Sequence, residues 1–287
     1  MSLMKSAADY SRMIKLSHTI FALPFALAAA LMSWRYADFA WLDLVLILVC
    51  MVSARSAAMG FNRIADRDID AANPRTADRE IPSGRISLAR AWAFTGASAV
   101  VFMLASWGLS TLCLMLSPLV LAVVMGYSLT KRFTSLCHLF LGLALALAPV
   151  CASVAILDAV SASSLVMAGI VGTWVAGFDI LYACQDADFD AGTGLNSIPA
   201  RLGLKGAMIV SALLHVVTVG LVAWLPFVGD LGWPYWIGAA IIVAILIWEH
   251  WLLRPDDLSR MNKAFFQLNS MISIVFIGGV VAGTFLS

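Results

Sequence analysis

The stretch "WLDLVLILVCMVSARSAAMGFNRIADRDID", Trp41–Asp70, decides how the chain is read. Some twenty residues with almost no charge run directly into a segment where Asn62, Asp66 and Asp70 recur at every fourth position and Asp68 adds a further carboxylate. The apolar part is long enough to cross a bilayer, which takes about 20 residues. Residues at i, i+4 and i+8 stay near one helix face, drifting by about 40° per step. The stretch therefore reads as a membrane helix that carries a column of oxygen ligands out of its end.

The rest of the chain agrees with a membrane setting. It has 287 residues, of which 62% are hydrophobic and 12% charged, whereas a soluble domain carries roughly a quarter charged residues. Too little polar surface remains for an aqueous exterior, so the bilayer is the solvent. The net charge of +1 says little about partners, of which no nucleic acid is expected, and what matters is where the charges sit. Cys50, Cys113, Cys137, Cys151 and Cys184 are odd in number and scattered through apolar segments. They lack metal-ligand spacing and read as packing residues. Residues 1–16 are polar, and no small-residue cleavage pattern follows, so the first apolar run is expected to be a retained helix.

Nine apolar runs are long enough to span, at about 17–34, 41–61, 90–109, 111–129, 136–157, 163–184, 207–228, 235–253 and 264–286. The pair around 90–129 is divided only by "GLSTLC". Without strand alternation these runs are helices, since every backbone group in lipid must be satisfied internally. The expected fold is an all-α integral membrane protein, a single domain over 1–287, with nine transmembrane helices around a central cavity. Lys5, Arg12 and Lys15 precede the first run, and six arginines from Arg63 to Arg90 lie between the second and third. Lys131 and Arg132 follow the fourth, Arg201 and Lys205 the sixth, and Arg254, Arg260 and Lys263 the eighth. With nine alternating crossings all fall on one side, which the positive-inside rule makes cytoplasmic.

A second acidic stretch, "DILYACQDADFDAGTGLNS" (179–197), follows the sixth run, on the same side as the first. Asp179, Tyr182, Asp186 and Asp190 stand at i, i+3, i+7 and i+11, one stripe, while Asp188 and Asp68 point elsewhere. Arg55 lies on the first stripe, seven positions before Asn62. Asp66, Asp70, Asp186 and Asp190 facing one another would repel unless cations sat between them. Hard oxygen ligands in pairs, with the Asn62 carbonyl added, suit Mg²⁺, which completes its shell with substrate phosphates. One such motif alone reads as a solvated loop. Two at matched spacing, with Arg55 and Asp179 inside the spans below them, read as a clamp for a diphosphate at the mouth of an apolar cavity. "REIPSGR" and "NSIPARLG", in the two following loops, hint at an internal repeat of four helices.

A diphosphate needs basic neighbours. "GYSLTKRF" places Tyr127, Lys131 and Arg132 at a helix end, with Tyr127 and Lys131 at i and i+4. Phosphate binding and simple membrane anchoring are equally good readings of this pair of cations. Arg67, Arg75, Arg79 and Arg85 lie in a loop of about two dozen residues, long enough to be functional. His18 reads as a structural residue, and His138, His215 and His250 have no acidic or Cys partner at ligand spacing.

These residues resemble the UbiA superfamily of intramembrane aromatic prenyltransferases. Asn62, Asp66 and Asp70 match its Asn-x-x-x-Asp-x-x-x-Asp motif, and Asp186 and Asp190 match Asp-x-x-x-Asp. "NPRTADREIPSG" looks like the loop after the first motif, "DILYACQDADFD" like the lead-in to the second, and "YSLTKRFT" like the basic segment after the fourth helix. The resemblance covers nearly the whole chain. It implies two Mg²⁺ ions held by Asp66, Asp70, Asp186 and Asp190 with Asn62 assisting, and a polyprenyl diphosphate bound with help from Lys131, Arg132, Tyr127 and Arg67 or Arg75. Arg55 is expected to hold the carboxylate of a small aromatic acid, and Asp179 and Tyr182 count with it as substrate-binding candidates. "KLSHTIFALPFALAAAL" looks like the bacterial 4-hydroxybenzoate branch, of quinone biosynthesis at the cytoplasmic (inner) membrane, and a dihydroxynaphthoate of a menaquinone route is the next acceptor. A secondary transporter is the rival class, although its site would lie near the midplane rather than at one membrane edge. The sequence carries no signal for oligomeric state.

Overall fold

The structure is a computed structural model that describes residues 9–14, 21–255, 257–261 and 264–286. Lys5, Lys15, His18 and Lys263 lie outside the described residues. The described chain is mostly helical: α1 Leu23–Ser33, α2 Trp41–Ala65, α3 Arg67–Ala72, α4 Leu88–Leu109, α5 Thr111–Thr130, α6 Cys137–Leu157 and α7 Ala162–Ala183. A 3₁₀ turn, Cys184–Asp186, leads into α8 Ala187–Thr193, followed by α9 Ile198–Gly229, α10 Tyr235–Leu252 and α11 Asn269–Phe285.

Among the described residues eight helices are long and apolar enough to cross a membrane. They coincide with eight of the nine expected runs. The remaining run, about 17–34, begins in residues outside the description, and its described part is the eleven-residue α1. The thin divider at "GLSTLC" is a real break. Ser110 alone is extended (φ −162°, ψ 164°) between α4 and α5, and its hydroxyl accepts from the N–H of Cys113 at 3.1 Å. The largest departure is at α9, where Ile198–Gly229 is two helical stretches meeting at a kink at Gly203, so a short helical segment from Ile198 precedes the expected run from 207. Gly203 has φ +70°, a left-handed conformation that a residue without Cβ adopts at little cost.

The chain divides into two compact units: Met1–Thr19 with Leu42–Leu129, and Ile20–Trp41 with Thr130–Ser287. In the first, Met13, Ile14, Ile64, Ile86 and Ala91 form a buried cluster, and Tyr10 stacks on Phe94 at 4.9 Å. Helices α2 and α4 approach closely at Gly60, where a Cβ would stand 2.3 Å from Oγ1 of Thr95.

The second unit joins α1 and α6–α11. Its contacts follow the membrane rule that small residues bring helices together and polar side chains bond across them. A Cβ on Gly142 of α6 would lie 2.2 Å from the carbonyl oxygen of Gly172 on α7. Thr173 and Thr218 join α7 to α9 at 2.7 Å, and Ser211 donates to the Gly177 carbonyl at 2.8 Å. Phe25 of α1 stacks on Phe276 of α11 at 4.3 Å.

Candidate active site

The first motif lies in the first unit. α2 ends at Ala65, and Asp66 occupies the N-cap of α3 with φ −92° and ψ 6°. The helix therefore does not run smoothly through the motif, as a simple column requires. The i to i+4 ladder survives the break: Asp66 N–H donates to the Asn62 carbonyl at 2.9 Å, and Asp70 N–H to the Asp66 carbonyl at 2.7 Å. Asp66 and Asp70 are both 3% exposed, whereas the Asp68 side chain is 85% exposed. Asp66 and Asp70 thus face inward and Asp68 faces outward.

Each inward acid has a defined neighbour. Asn62 Nδ2 donates to Asp66 Oδ2 at 3.1 Å, and Asn62 Oδ1 accepts from Arg63 Nη1 at 3.1 Å. Arg63 is buried and also donates from Nε to the Met13 carbonyl at 3.3 Å. Asp70 Oδ1 accepts from Arg79 Nη1 at 2.7 Å, while Asp70 Oδ2 is buried without a hydrogen-bond partner among the described residues. Thr76 donates to the Asp70 carbonyl at 3.0 Å, which folds the loop back over the motif. In that loop Glu80 is buried and reached by Arg85 at 3.7 Å and Arg12 at 3.9 Å. Arg67 is exposed and lies 3.3 Å from Asp68. Arg75 is exposed, and its N–H donates to Asn73 Oδ1 at 2.9 Å. Arg55 and Tyr127, both half-buried, come within electrostatic reach of each other.

The second motif, in the second unit, has the same construction. α7 ends at Ala183, the 3₁₀ turn follows, and Asp186 is the N-cap of α8 with φ −108° and ψ 7°. The first acid of each motif thus sits in the sparsely populated bridge region, where active-site residues are often found. Asp190 is held by the loop after it. Its carbonyl accepts from Leu195 N–H at 2.9 Å, and its carboxylate lies within electrostatic reach of Lys131 and Asp186. Lys131 is brought there by Asn196, whose N–H donates to the Lys131 carbonyl at 2.8 Å. α5 ends at Thr130, so Lys131 stands in the turn beyond the helix rather than on the helical face of Tyr127, and Arg132 is exposed. Tyr182 is half-buried, and its carbonyl accepts from Gln185. Among the described residues, no three or more His, Cys, Asp or Glu side chains are drawn around a common metal position.

Sequence reasoning missed His138. Its Nδ1 lies 2.7 Å from Asp179 Oδ2, and its Nε2 accepts from Ile198 N–H at 3.4 Å. With Nε2 as acceptor, Nδ1 carries the proton and donates to the carboxylate. His215 and His250, also left without a role, lie 2.9 Å apart. Beside them Glu249 Oε1 accepts from Asn269 at 2.8 Å, and Asn269 Oδ1 accepts from Trp174 Nε1 at 2.7 Å. No sequence spacing signals these partnerships.

Residues 22–271 match the UbiA prenyltransferase family. The chain is 29% identical over 237 residues to the 4-hydroxybenzoate octaprenyltransferase of Aliivibrio fischeri (strain MJ11), covering 83% of this chain and 82% of that one. It is 30% identical over 238 residues to the enzyme of the same name from Burkholderia lata, covering 83% of each. Among solved structures it is similar to the apo form of a UbiA homolog from Aeropyrum pernix K1, with a TM-score of 0.83 and 36% identity over 93% of this chain and 98% of that one. A UbiA homolog from Archaeoglobus fulgidus, bound to DMAPP and Mg²⁺, shares the fold at a TM-score of 0.76 and 19% identity, over 96% of this chain and 98% of that one. The transporter reading is thereby set aside. With eight apolar helices and this extent of matching, the chain is a multi-pass membrane enzyme, a prenyltransferase that belongs to the UbiA prenyltransferase family.

Proposed function

We propose that this enzyme transfers a polyprenyl group from polyprenyl diphosphate to a small aromatic acid, first of all 4-hydroxybenzoate, in quinone biosynthesis at a bacterial inner membrane. The active site faces the cytoplasm, on the side that gathers the Lys and Arg residues. The observation that carries the reading is the matched backbone break at Asp66 and Asp186, which presents Asp70 and Asp190 one turn further on in two separate helices.

The acid side chains fit a divalent cation. They offer hard oxygen donors, and Asp70 Oδ2 is a buried carboxylate oxygen without a hydrogen-bond donor. Asp66, Asp70, Asp186 and Asp190, with Asn62 steadying Asp66, would hold two Mg²⁺ ions. When bound, Mg²⁺ supplies positive charge against the diphosphate. Lys131 and Arg132, with Tyr127 and Arg67 or Arg75, add donors to the same group as the allylic C–O bond breaks. The ring carbon of the acceptor then forms a C–C bond to the allylic cation and loses its proton. Arg55 pairs with the acceptor carboxylate, and Asp179 and Tyr182 line the acceptor side. The prenyl tail remains in apolar surroundings.

The relatives named 4-hydroxybenzoate octaprenyltransferase support this acceptor. The test is a detergent assay with Mg²⁺ and a prenyl diphosphate, offering 4-hydroxybenzoate and a dihydroxynaphthoate in parallel and identifying products by mass. A prenylated hydroxybenzoate supports the reading. Product from the naphthoate alone replaces the acceptor, and no product from either overturns the proposal.

A further inference from the structure

In the first unit the acidic half-site is already charge-balanced. Two carboxylates, Asp66 and Asp70, stand with two guanidiniums, Arg63 and Arg79, while the buried Glu80, also within electrostatic reach of Arg63, has Arg85 and Arg12 as its own cations. The two cations are held very differently. Arg63 is 3% exposed and fastened at Met13 and Asn62. Arg79 comes from the loop beyond the motif, its side chain is 22% exposed, and its guanidinium donates a hydrogen bond to Asp70 Oδ1. The other oxygen of that carboxylate is buried without a donor. A divalent cation added here places four positive charges against two negative ones, unless one guanidinium leaves or an anion arrives. Arg79 is the one free to move.

We propose that Arg79 is a resident counter-ion of the metal site. It occupies Asp70 while no metal is bound, is displaced as a divalent cation takes that carboxylate, and turns its guanidinium to the incoming diphosphate. The inference rests on the metal reading of the preceding section. It assigns Arg79 a place outside the set expected from the sequence, which put Arg67 or Arg75 at the diphosphate. Both of these are exposed, and Arg67 faces Asp68. The exchange keeps Asp70 paired at every stage, which matters because a buried carboxylate that loses its hydrogen-bonded cation is strongly destabilised.

The consequence is a reversal of sign that a purely structural arginine would not produce. Detergent-purified wild type, Arg79→Met, Arg79→Lys and Asp66→Asn are titrated calorimetrically with Mn²⁺ alone, and then with the preformed Mn²⁺–diphosphate complex. Arg79→Met is expected to bind bare Mn²⁺ roughly tenfold more tightly than wild type, because a competing charge-assisted hydrogen bond is gone. It is expected to bind the Mn²⁺–diphosphate complex roughly tenfold more weakly, because a donor to the anion is gone. Arg79→Lys should fall between wild type and Arg79→Met in both titrations. Weaker binding of both species by Arg79→Met makes Arg79 a structural residue and overturns the inference. Unchanged affinity for bare Mn²⁺ reduces it to a diphosphate ligand, with the same result. A wild type that takes up Mn²⁺ in neither titration overturns the metal reading itself, as does an Asp66→Asn variant indistinguishable from wild type.

Discussion

Nδ1 of His138 lies 2.7 Å from Oδ2 of Asp179, although 41 positions separate the two in the chain. The bond ties α6 to α7, and Ile198 N–H on the far ring nitrogen ties both to the start of α9. His138 is therefore a positioning residue for an intramembrane carboxylate. His138→Ala should lower kcat by roughly tenfold to a hundredfold, the scale of one charge-assisted hydrogen bond. His138→Asn, which can still donate, should recover much of that loss. Equal loss in the two variants would show that ring packing matters, and not the hydrogen bond.

The inward and outward acids of the first motif make an internal control. Asp70→Asn should reduce turnover by roughly a hundredfold or more, the scale seen when electrostatic stabilisation of a leaving charge is removed. Asp68→Asn, at a solvent-exposed position, should stay within about twofold in rate, since exposed charges contribute little. Steady-state rates at saturating prenyl diphosphate decide the matter, and comparable losses in the two variants would contradict the inward orientation of Asp70.

Metal removal should abolish the reaction while leaving the helices intact. Dialysis against EDTA is expected to drive product formation to background with an unchanged far-ultraviolet helical signal, and added Mg²⁺ should restore the rate. Activity that persists after exhaustive chelation would remove the divalent cation from the proposal.

Helix contact in the second unit predicts a stability difference between two glycines. A Cβ at Gly142 would meet the backbone oxygen of Gly172 at 2.2 Å, which no rotamer can relieve, whereas Gly220 has nothing within 4 Å. Gly142→Ala should cost about 1–3 kcal/mol, as overpacking does. Gly220→Ala should be neutral or stabilising by up to about 1 kcal/mol. Thermal unfolding in detergent, compared as Tm, reads both.

The buried Glu249 offers a last comparison. Its Oε1 accepts from Asn269, which in turn accepts from Trp174. Glu249→Gln keeps an acceptor there and should unfold within about 1 kcal/mol of wild type, whereas Glu249→Leu should lose about 1–3 kcal/mol. A Leu variant as stable as wild type would mean that apolar packing substitutes for the polar chain.

The sequence by itself determined the membrane setting, eight of the helix positions and the face on which Asp66 and Asp70 lie. Each of these is local: length, hydropathy and a spacing of four are properties of neighbouring residues, and the hydrogen-bond ladder at Asn62, Asp66 and Asp70 preserves that spacing even where α2 breaks. Gly203 lay beyond such reasoning because its φ of +70° kinks α9 at a point that hydropathy does not mark. The assignments of Arg79 to Asp70, His138 to Asp179 and Asn269 to Glu249 were decided only by the tertiary structure. Burial in an apolar medium obliges each polar group to find a partner, but which partner depends on which helices come together. Small residues such as Gly142 and Gly172 set that approach, and no local periodicity encodes it.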